Sequence, residues 1–213
     1  MMLINKSVHD FVEIVDSDEP VPGGGSVSAL AGTIGAGLSR MVGSLTFTKK
    51  AFKELPEETQ NELKESFEKL EALKKELEEI VDKDANAFDK VMEAFAMPKD
   101  TDEQKEARMA AVQEGYKIAL EVPKRCADAC MEVLELQEVF ANHGTKGAVS
   151  DIGVGILMAS SGLEGAVYNV LINLQVMKDQ EYIENTRKEM DALIKKMYSK
   201  REALLEVIYE RLK

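Results

Sequence analysis

The chain reads as an all-α protein: a single multihelical domain of about six helices, several of them long and antiparallel. Apolar residues recur at spacings of three and four in nearly every segment, the periodicity of a helix with one buried face. No alternating or continuous apolar run is bounded by turn residues as a strand would be. The 213 residues, 45% of them hydrophobic, suffice for one core, and no repeat, low-complexity tract or linker divides them.

The elements follow from local signals. Ser7 can cap the amide of Asp10, which starts a short helix that expires near Asp16 to Asp18. Pro20-Val21-Pro22-Gly23-Gly24-Gly25-Ser26 comes next, with two prolines stiffening the approach and three glycines open to backbone angles other residues avoid. A second helix, Ser26 to Thr48, is built of small residues, with Ser28, Gly32 and Ala36 on one face. Each mid-helix Gly costs roughly 0.5 to 1 kcal/mol relative to Ala, so this helix is expected to press against another backbone, with or without a ligand there. Pro56, followed by Glu57 and Glu58, starts a third and long helix running to about Ala96. Its seam carries Leu63, Leu70, Leu77, Asp84 and Val91 at sevenfold spacing, flanked by Phe67, Val81, Phe88 and Phe95. Thr101 and Gln104 form a capping box for a fourth helix, kinked or interrupted at Pro123 and ending at Asn142-His143-Gly144. A fifth runs from Gly147 to Met177, and the last, Glu181 to Leu212, has an apolar face opposite alternating charges.

Charge and cysteine usage restrict the function. With 27 Lys+Arg against 39 Asp+Glu the net charge is −12, without a basic run, so nucleic acid and anionic membrane are poor partners. The most apolar early segment, Gly25 to Ser39, falls short of the ~20 residues that span a bilayer, and the amino terminus has no signal-peptide pattern. The expectation is a soluble, cytoplasmic protein. Cys126 and Cys130 lie four apart on one helix face and read as small buried hydrophobes in a reducing setting. With only His9 and His143 beside them, no metal constellation is expected.

Three places could carry chemistry. The glycine turn ending in Ser26 opens a helix, where free amides can hold an anion or a polar ring edge; equally, it can be a plain turn with Ser26 as N-cap. Asp84 occupies a core register, where a carboxylate must be paired, hydrogen-bonded or set in a cavity. It is either a structural ion pair, with Arg108 or a lysine, or a base whose pKa is set by burial against nearby cations. Asp82 and Asp89 fall off that register and read as solvated. Asp151, in the first turn of its helix, favours the helix dipole.

Pro22-Gly23-Gly24-Gly25-Ser26-Val27, Lys49-Lys50, Asp84-Ala85-Asn86-Ala87-Phe88, Met97-Pro98-Lys99, Arg108, Pro123, Ser150-Asp151 and Asn169-Val170-Leu171-Ile172-Asn173-Leu174 resemble, in order and spacing, the cyclodeaminase/cyclohydrolase family of folate enzymes. The resemblance spans about Pro20 to Leu174. It implies an all-helical two-fold dimer with folate near the glycine turn and Asp84 as proton acceptor. It also implies substrate contacts at Gly23, Gly24, Gly25, Ser26, Lys49, Arg108, Asp151 and Asn169, the two cations serving a glutamate or polyglutamate tail. The implied reaction closes 5-formiminotetrahydrofolate to 5,10-methenyltetrahydrofolate with loss of ammonia, or hydrolyses methenyltetrahydrofolate to 10-formyltetrahydrofolate, with no cofactor beyond the folate itself. The family often has Gly-Asn ahead of Ser-Asp; here the stretch is Gly144-Thr145-Lys146-Gly147-Ala148-Val149-Ser150-Asp151, without that amide. A non-catalytic helical dimer serving as a binding module is the rival reading.

Overall fold

A computed structural model describes residues 2–213. It contains eight α-helices: α1 Val8–Val15, α2 Gly24–Phe47, α3 Lys50–Glu54, α4 Glu57–Asn86, α5 Asp89–Phe95, α6 Asp102–His143, α7 Val149–Leu174 and α8 Gln180–Leu212. Single 3-10 turns at Leu3–Asn5 and Lys146–Ala148 precede α1 and α7. No strand occurs among the described residues.

Helices α2 and α7 lie side by side and antiparallel, as their end contacts show. The Asn169 amide near the end of α7 faces Gly24 at the start of α2, and the Thr145 amide before α7 donates to Thr46 Oγ1 at 2.8 Å near the end of α2. Helix α4 flanks α2, α8 flanks α7, and the long α6 runs behind the pair. Close approach rests on missing side chains: a Cβ on Gly35 would lie 2.9 Å from the Ala159 nitrogen, and one on Gly162 would lie 2.7 Å from the Ser28 carbonyl oxygen. The expected backbone contact is thus a helix, α7. Cys126 and Cys130 are buried free thiols, and Cys130 Sγ fills the space left by Gly32. Helix α7 is long and apolar enough by composition to cross a membrane, and half of its most apolar stretch is buried inside the fold.

Ser7 caps α1 through the Asp10 amide, and the Thr101–Gln104 capping box forms at the start of α6. Other expectations are corrected. Helix α2 begins at Gly24 with Gly23 as N-cap, so Ser26 caps nothing. No glycine among the described residues has positive φ, and of the three in the turn it is Gly25 that space requires, while a Cβ on Gly23 would make ordinary contact at 3.6 Å. Pro123 lies inside a continuous α6, which tolerates the missing donor opposite the Ala119 carbonyl. The long third helix is two, since α4 ends at Asn86 and the chain turns at Ala87 and Phe88 before α5. That turn shifts the register: Leu63, Leu70, Leu77 and Val81 are buried, but Phe88 and Phe95 emerge 43% exposed. Asp82 is also engaged, accepting from the Leu3 amide at 2.5 Å and so fastening the amino-terminal turn to α4.

Candidate active site

The last turn of α4 and the first turn of α2 meet around one carboxylate. Asp84 is half-buried; its Oδ2 lies 3.2 Å from the Ser26 hydroxyl, which also lies 2.8 Å from the Val81 carbonyl oxygen. A hydroxyl has one proton. Ser26 therefore donates to Val81 and accepts from a protonated Asp84, or donates to an ionised one. Gly25 makes the seat possible, because a Cβ there would stand 2.1 Å from Asp84 Oδ1. Beside it, Asn169 Nδ2 lies 3.2 Å from where a Gly24 Cβ would be, while donating to the Gly165 carbonyl at 2.9 Å.

No cation among the described residues pairs with this carboxylate, which overturns the reading of Asp84 as half of an ion pair with Arg108 or a lysine. Desolvation raises its pKa above the ordinary 3.8, and the hydroxyl and backbone amide of Ser26 hold that rise back. Behind it, the contact with Cys130 and then burial push the Cys126 thiol well above its usual range, and the charge of Asp84 adds to the effect. Burial and that rise both disfavour the thiolate, the nucleophilic form.

Of the residues singled out from the sequence, the structure gathers Gly23, Gly24, Gly25, Ser26, Asp84 and Asn169 at one end of the α2/α7 pair. Lys49, which precedes α3, and Asp151, in the first turn of α7, lie at the other end, about 36 Å away along a 24-residue helix. Arg108 stands apart as well: its guanidinium donates to the Phe95 carbonyl and lies 5.2 Å from the Phe95 ring. It lines a groove with Lys99, Lys105 and Lys178, which sequence reasoning missed. The recurrence of Lys99, Lys105 and Arg108 around the start of α6 was a usable signal; Lys178, some 70 residues on, left none. Also missed were the Val81 carbonyl and the Phe88–Tyr116 edge-on pair, with centroids 6.1 Å apart, one turn beyond the carboxylate.

Comparison with known proteins shows the family of the chain. The family model described as formiminotransferase-cyclodeaminase matches residues 7–192. The chain is 39% identical to a methenyltetrahydrofolate cyclohydrolase of Methylorubrum extorquens, over 98% of this chain and 97% of that protein. It is 34% identical to the formimidoyltransferase-cyclodeaminase of Gallus gallus over 94% of this chain, yet spans only 38% of that longer protein. A crystal structure of formiminotetrahydrofolate cyclodeaminase from Thermotoga maritima superposes with a TM-score of 0.77 at 26% identity, covering 98% of this chain and 96% of that one.

Proposed function

The chain belongs to the formiminotransferase-cyclodeaminase family, and from that membership we propose that it is a folate one-carbon enzyme, a formiminotetrahydrofolate cyclodeaminase, with Asp84 as its general base. One observation carries the reading: a carboxylate with no cation partner, its pKa raised by desolvation, sits against the first turn of α2 beside the Asn169 amide. A carboxyl raised in this way accepts protons better near neutral pH. In 5-formiminotetrahydrofolate, with the formimino group in its protonated amidinium form, N10 attacks the formimino carbon and Asp84 accepts the N10 proton. That proton then passes to the departing NH2, the carbon–nitrogen bond breaks, and ammonia leaves with the bonding pair as the 5,10-methenyltetrahydrofolate cation forms. Ser26 follows the charge, donating to the carboxylate and accepting from the acid. The transferred carbon keeps its oxidation level throughout, so the route calls for no redox cofactor. Phe88, exposed beside the site, offers a flat apolar surface to the pterin.

The second reading, methenyltetrahydrofolate cyclohydrolase, is favoured by the 39% identity with a relative of matching length. There the same base takes a proton from water as it adds to the methenyl carbon and passes it to N5, whose bond to that carbon breaks as the remaining hydroxyl proton is released, giving 10-formyltetrahydrofolate. We assign the groove of Lys99, Lys105, Arg108 and Lys178 to the glutamate tail, polyglutamylated or not, and place the chain as a homodimer in the reducing cytoplasm, where Cys126 and Cys130 remain thiols. Methenyltetrahydrofolate absorbance tests the function. Its appearance from formiminotetrahydrofolate supports deamination, its accelerated loss supports hydrolysis, and Asp84→Asn abolishes either, by at least ~10²-fold, while folate still binds. Inactivity of the unaltered protein in both assays refutes the proposal in favour of a binding module.

A further inference from the structure

Helix α5 carries apolar residues on a face that the fold leaves open. Val91 and Ala94 are buried as α5 docks on α6, where a Cβ on Gly115 would lie 3.1 Å from the Val91 nitrogen, so the two backbones touch. Phe88, Met92 and Phe95 recur at spacings of four and three along another face and stay 43%, 64% and 43% exposed. This stripe starts one turn beyond Asp84.

Helices α5 and α6 run antiparallel, since Phe88 meets Tyr116, Val91 meets Gly115 and Phe95 meets Arg108. The stripe therefore follows α6 from Tyr116 back to Arg108, and at its far end Phe95 opens into a groove of about 440 Å³ floored by Met109, Val112 and Gln113. The opposite wall is the turn after α7, which Gln113 clasps with both ends of its amide. Its Nε2 donates to the Val176 carbonyl at 3.0 Å, and its Oε1 accepts from the Lys178 amide at 2.8 Å. In a chain with 39 acidic and 27 basic residues, Lys99, Arg108 and Lys178 of this groove form no ion pair among the described residues. The Lys178 ammonium lies instead 2.7 Å from the Met109 sulfur.

We infer that this trough holds the p-aminobenzoylglutamate limb of the folate, with the benzoyl ring against Met92, Phe95 and Met109 and the first glutamate carboxylate on Arg108. The order of chemistry along the trough matches that of the ligand: a base where the reacting nitrogens sit, then thioethers and an aromatic ring, then unpaired cations. Thioether sulfur and ring edges suit an aromatic ring, and a guanidinium suits a carboxylate. The lengths agree as well. Phe95 lies 95 − 84 = 11 residues beyond Asp84, at most about 16 Å at 1.5 Å per residue. Summed along its bonds, the limb reaches roughly 11 Å from N10 to its first carboxylate, and N10 stands about 3 Å from its base, which gives about 14 Å. A monoglutamate thus ends at Arg108, and Lys99, Lys105 and Lys178 are left to later glutamates. The inference rests on the folate reading for the identity of the ligand.

The test uses the two halves of the ligand as separate probes, p-aminobenzoyl-L-glutamate and tetrahydropterin, titrated into protein whose methionine methyl groups carry carbon-13. The methyl signals of Met92 and Met109, identified by Met92→Leu and Met109→Leu, should move with the benzoylglutamate, while those of the fully buried Met190 and Met197 stay in place. Phe95→Ala should weaken p-aminobenzoyl-L-glutamate about fivefold, as one aromatic contact does, without weakening tetrahydropterin, and for a whole folate the loss should fall on KM rather than kcat. Because Phe95 is 43% exposed, the variant should fold and melt close to the parent. Benzoylglutamate that moves neither Met92 nor Met109 overturns the inference, and so does a Phe95→Ala protein that binds it as tightly as the parent. Turnover of a folate with those methyl signals unmoved would sink the trough and leave the folate reading standing. Moved signals in a protein that turns over neither folate would do the reverse.

Discussion

Gly25→Ala tests the seat of the carboxylate without touching the carboxylate. The added Cβ would stand 2.1 Å from Asp84 Oδ1, 2.4 Å from Cγ and 2.5 Å from Oδ2, where ordinary contact begins at 3.4 Å. The side chain must therefore retreat by about 1.3 Å, and the 3.2 Å contact between Asp84 Oδ2 and Ser26 breaks as it goes. Misplacing a reacting group by ~1 Å costs about 10²-fold in rate, or ~2.7 kcal/mol of transition-state stabilisation at 1.36 kcal/mol per decade. Stability moves far less. The displaced group is a half-buried side chain that can rotate, and Ala gains roughly 0.5 to 1 kcal/mol over Gly in a helix. The expected result is a fall of about 10²-fold in kcat/KM with Tm within a few degrees of the parent, read by the absorbance assay and thermal melts. Retention of more than about a third of the parent kcat/KM would show that the reacting base is not held where Gly25 admits it, and would remove Asp84 from the mechanism.

Three further outcomes are expected. Because burial raises the Asp84 pKa, kcat/KM should rise through an acid limb centred above pH 3.8, set by that group, and the residual activity of Asp84→Asn should lack it. The same shift makes the folded state bind a proton more tightly than the unfolded one, a stabilisation complete below pH 3.8 and lost as pH rises through the folded pKa, so Asp84→Asn should melt higher than the parent at pH 7 and lose that advantage below pH 3.8. Lys105→Ala/Lys178→Ala should raise KM about fivefold for a polyglutamylated folate while leaving kcat and the monoglutamate KM in place, the size expected of two exposed ion pairs, and high salt should erase the difference. Arg211→Ala should lower Tm by about 5 to 10 °C, since this guanidinium near the end of α8 donates to the Phe140, Ala141 and Gly144 carbonyls that close α6, and losing hydrogen bonds from a charged donor costs ~2 to 3 kcal/mol; an unchanged melt would show that those carbonyls are satisfied without it.

The helices were legible where local chemistry sets them. Ser7, and Thr101 with Gln104, cap as their spacing predicts, and the small residues of α2 announce a close neighbour. Asp84 stood out because a carboxylate interrupts an otherwise apolar heptad, an anomaly that survives the error about where its helix ends. The break at Ala87 was not legible, since Phe88 and Phe95 continue the same spacing and only the docking of α5 on α6 turns the chain there. The role of Ser26 was hidden for a related reason. A serine after glycines looks like a cap until a second helix brings Val81 and Asp84 to its hydroxyl. Likewise, sequence order places Lys49 and Asp151 in one motif set with Asp84, and it takes the antiparallel course of α2 and α7 to show that one chain holds them apart.

The glycines of α2 link fold to chemistry, because the space each leaves has a different owner. At Gly35 the owner is backbone, the Ala159 nitrogen and Gly155 carbonyl oxygen both 2.9 Å from a Cβ, so neither can retreat unless α2 and α7 separate. At Gly32 and Gly43 the neighbours are the ends of Cys130, Phe67 and Phe140 side chains, which can yield at the cost of strain in a close-packed core. At Gly25 the owner is the Asp84 carboxylate, and at Gly37 nothing within the chain claims the space. Alanine along the helix should therefore damage different properties in turn: folding at Gly35, packing at Gly32 and Gly43, and turnover at Gly25, with the fold unharmed at Gly37. A helix that served packing alone would need its glycines only where backbone or core presses on it. The one that stands against the Asp84 carboxylate makes α2 at once a wall of the core and the floor of the candidate site.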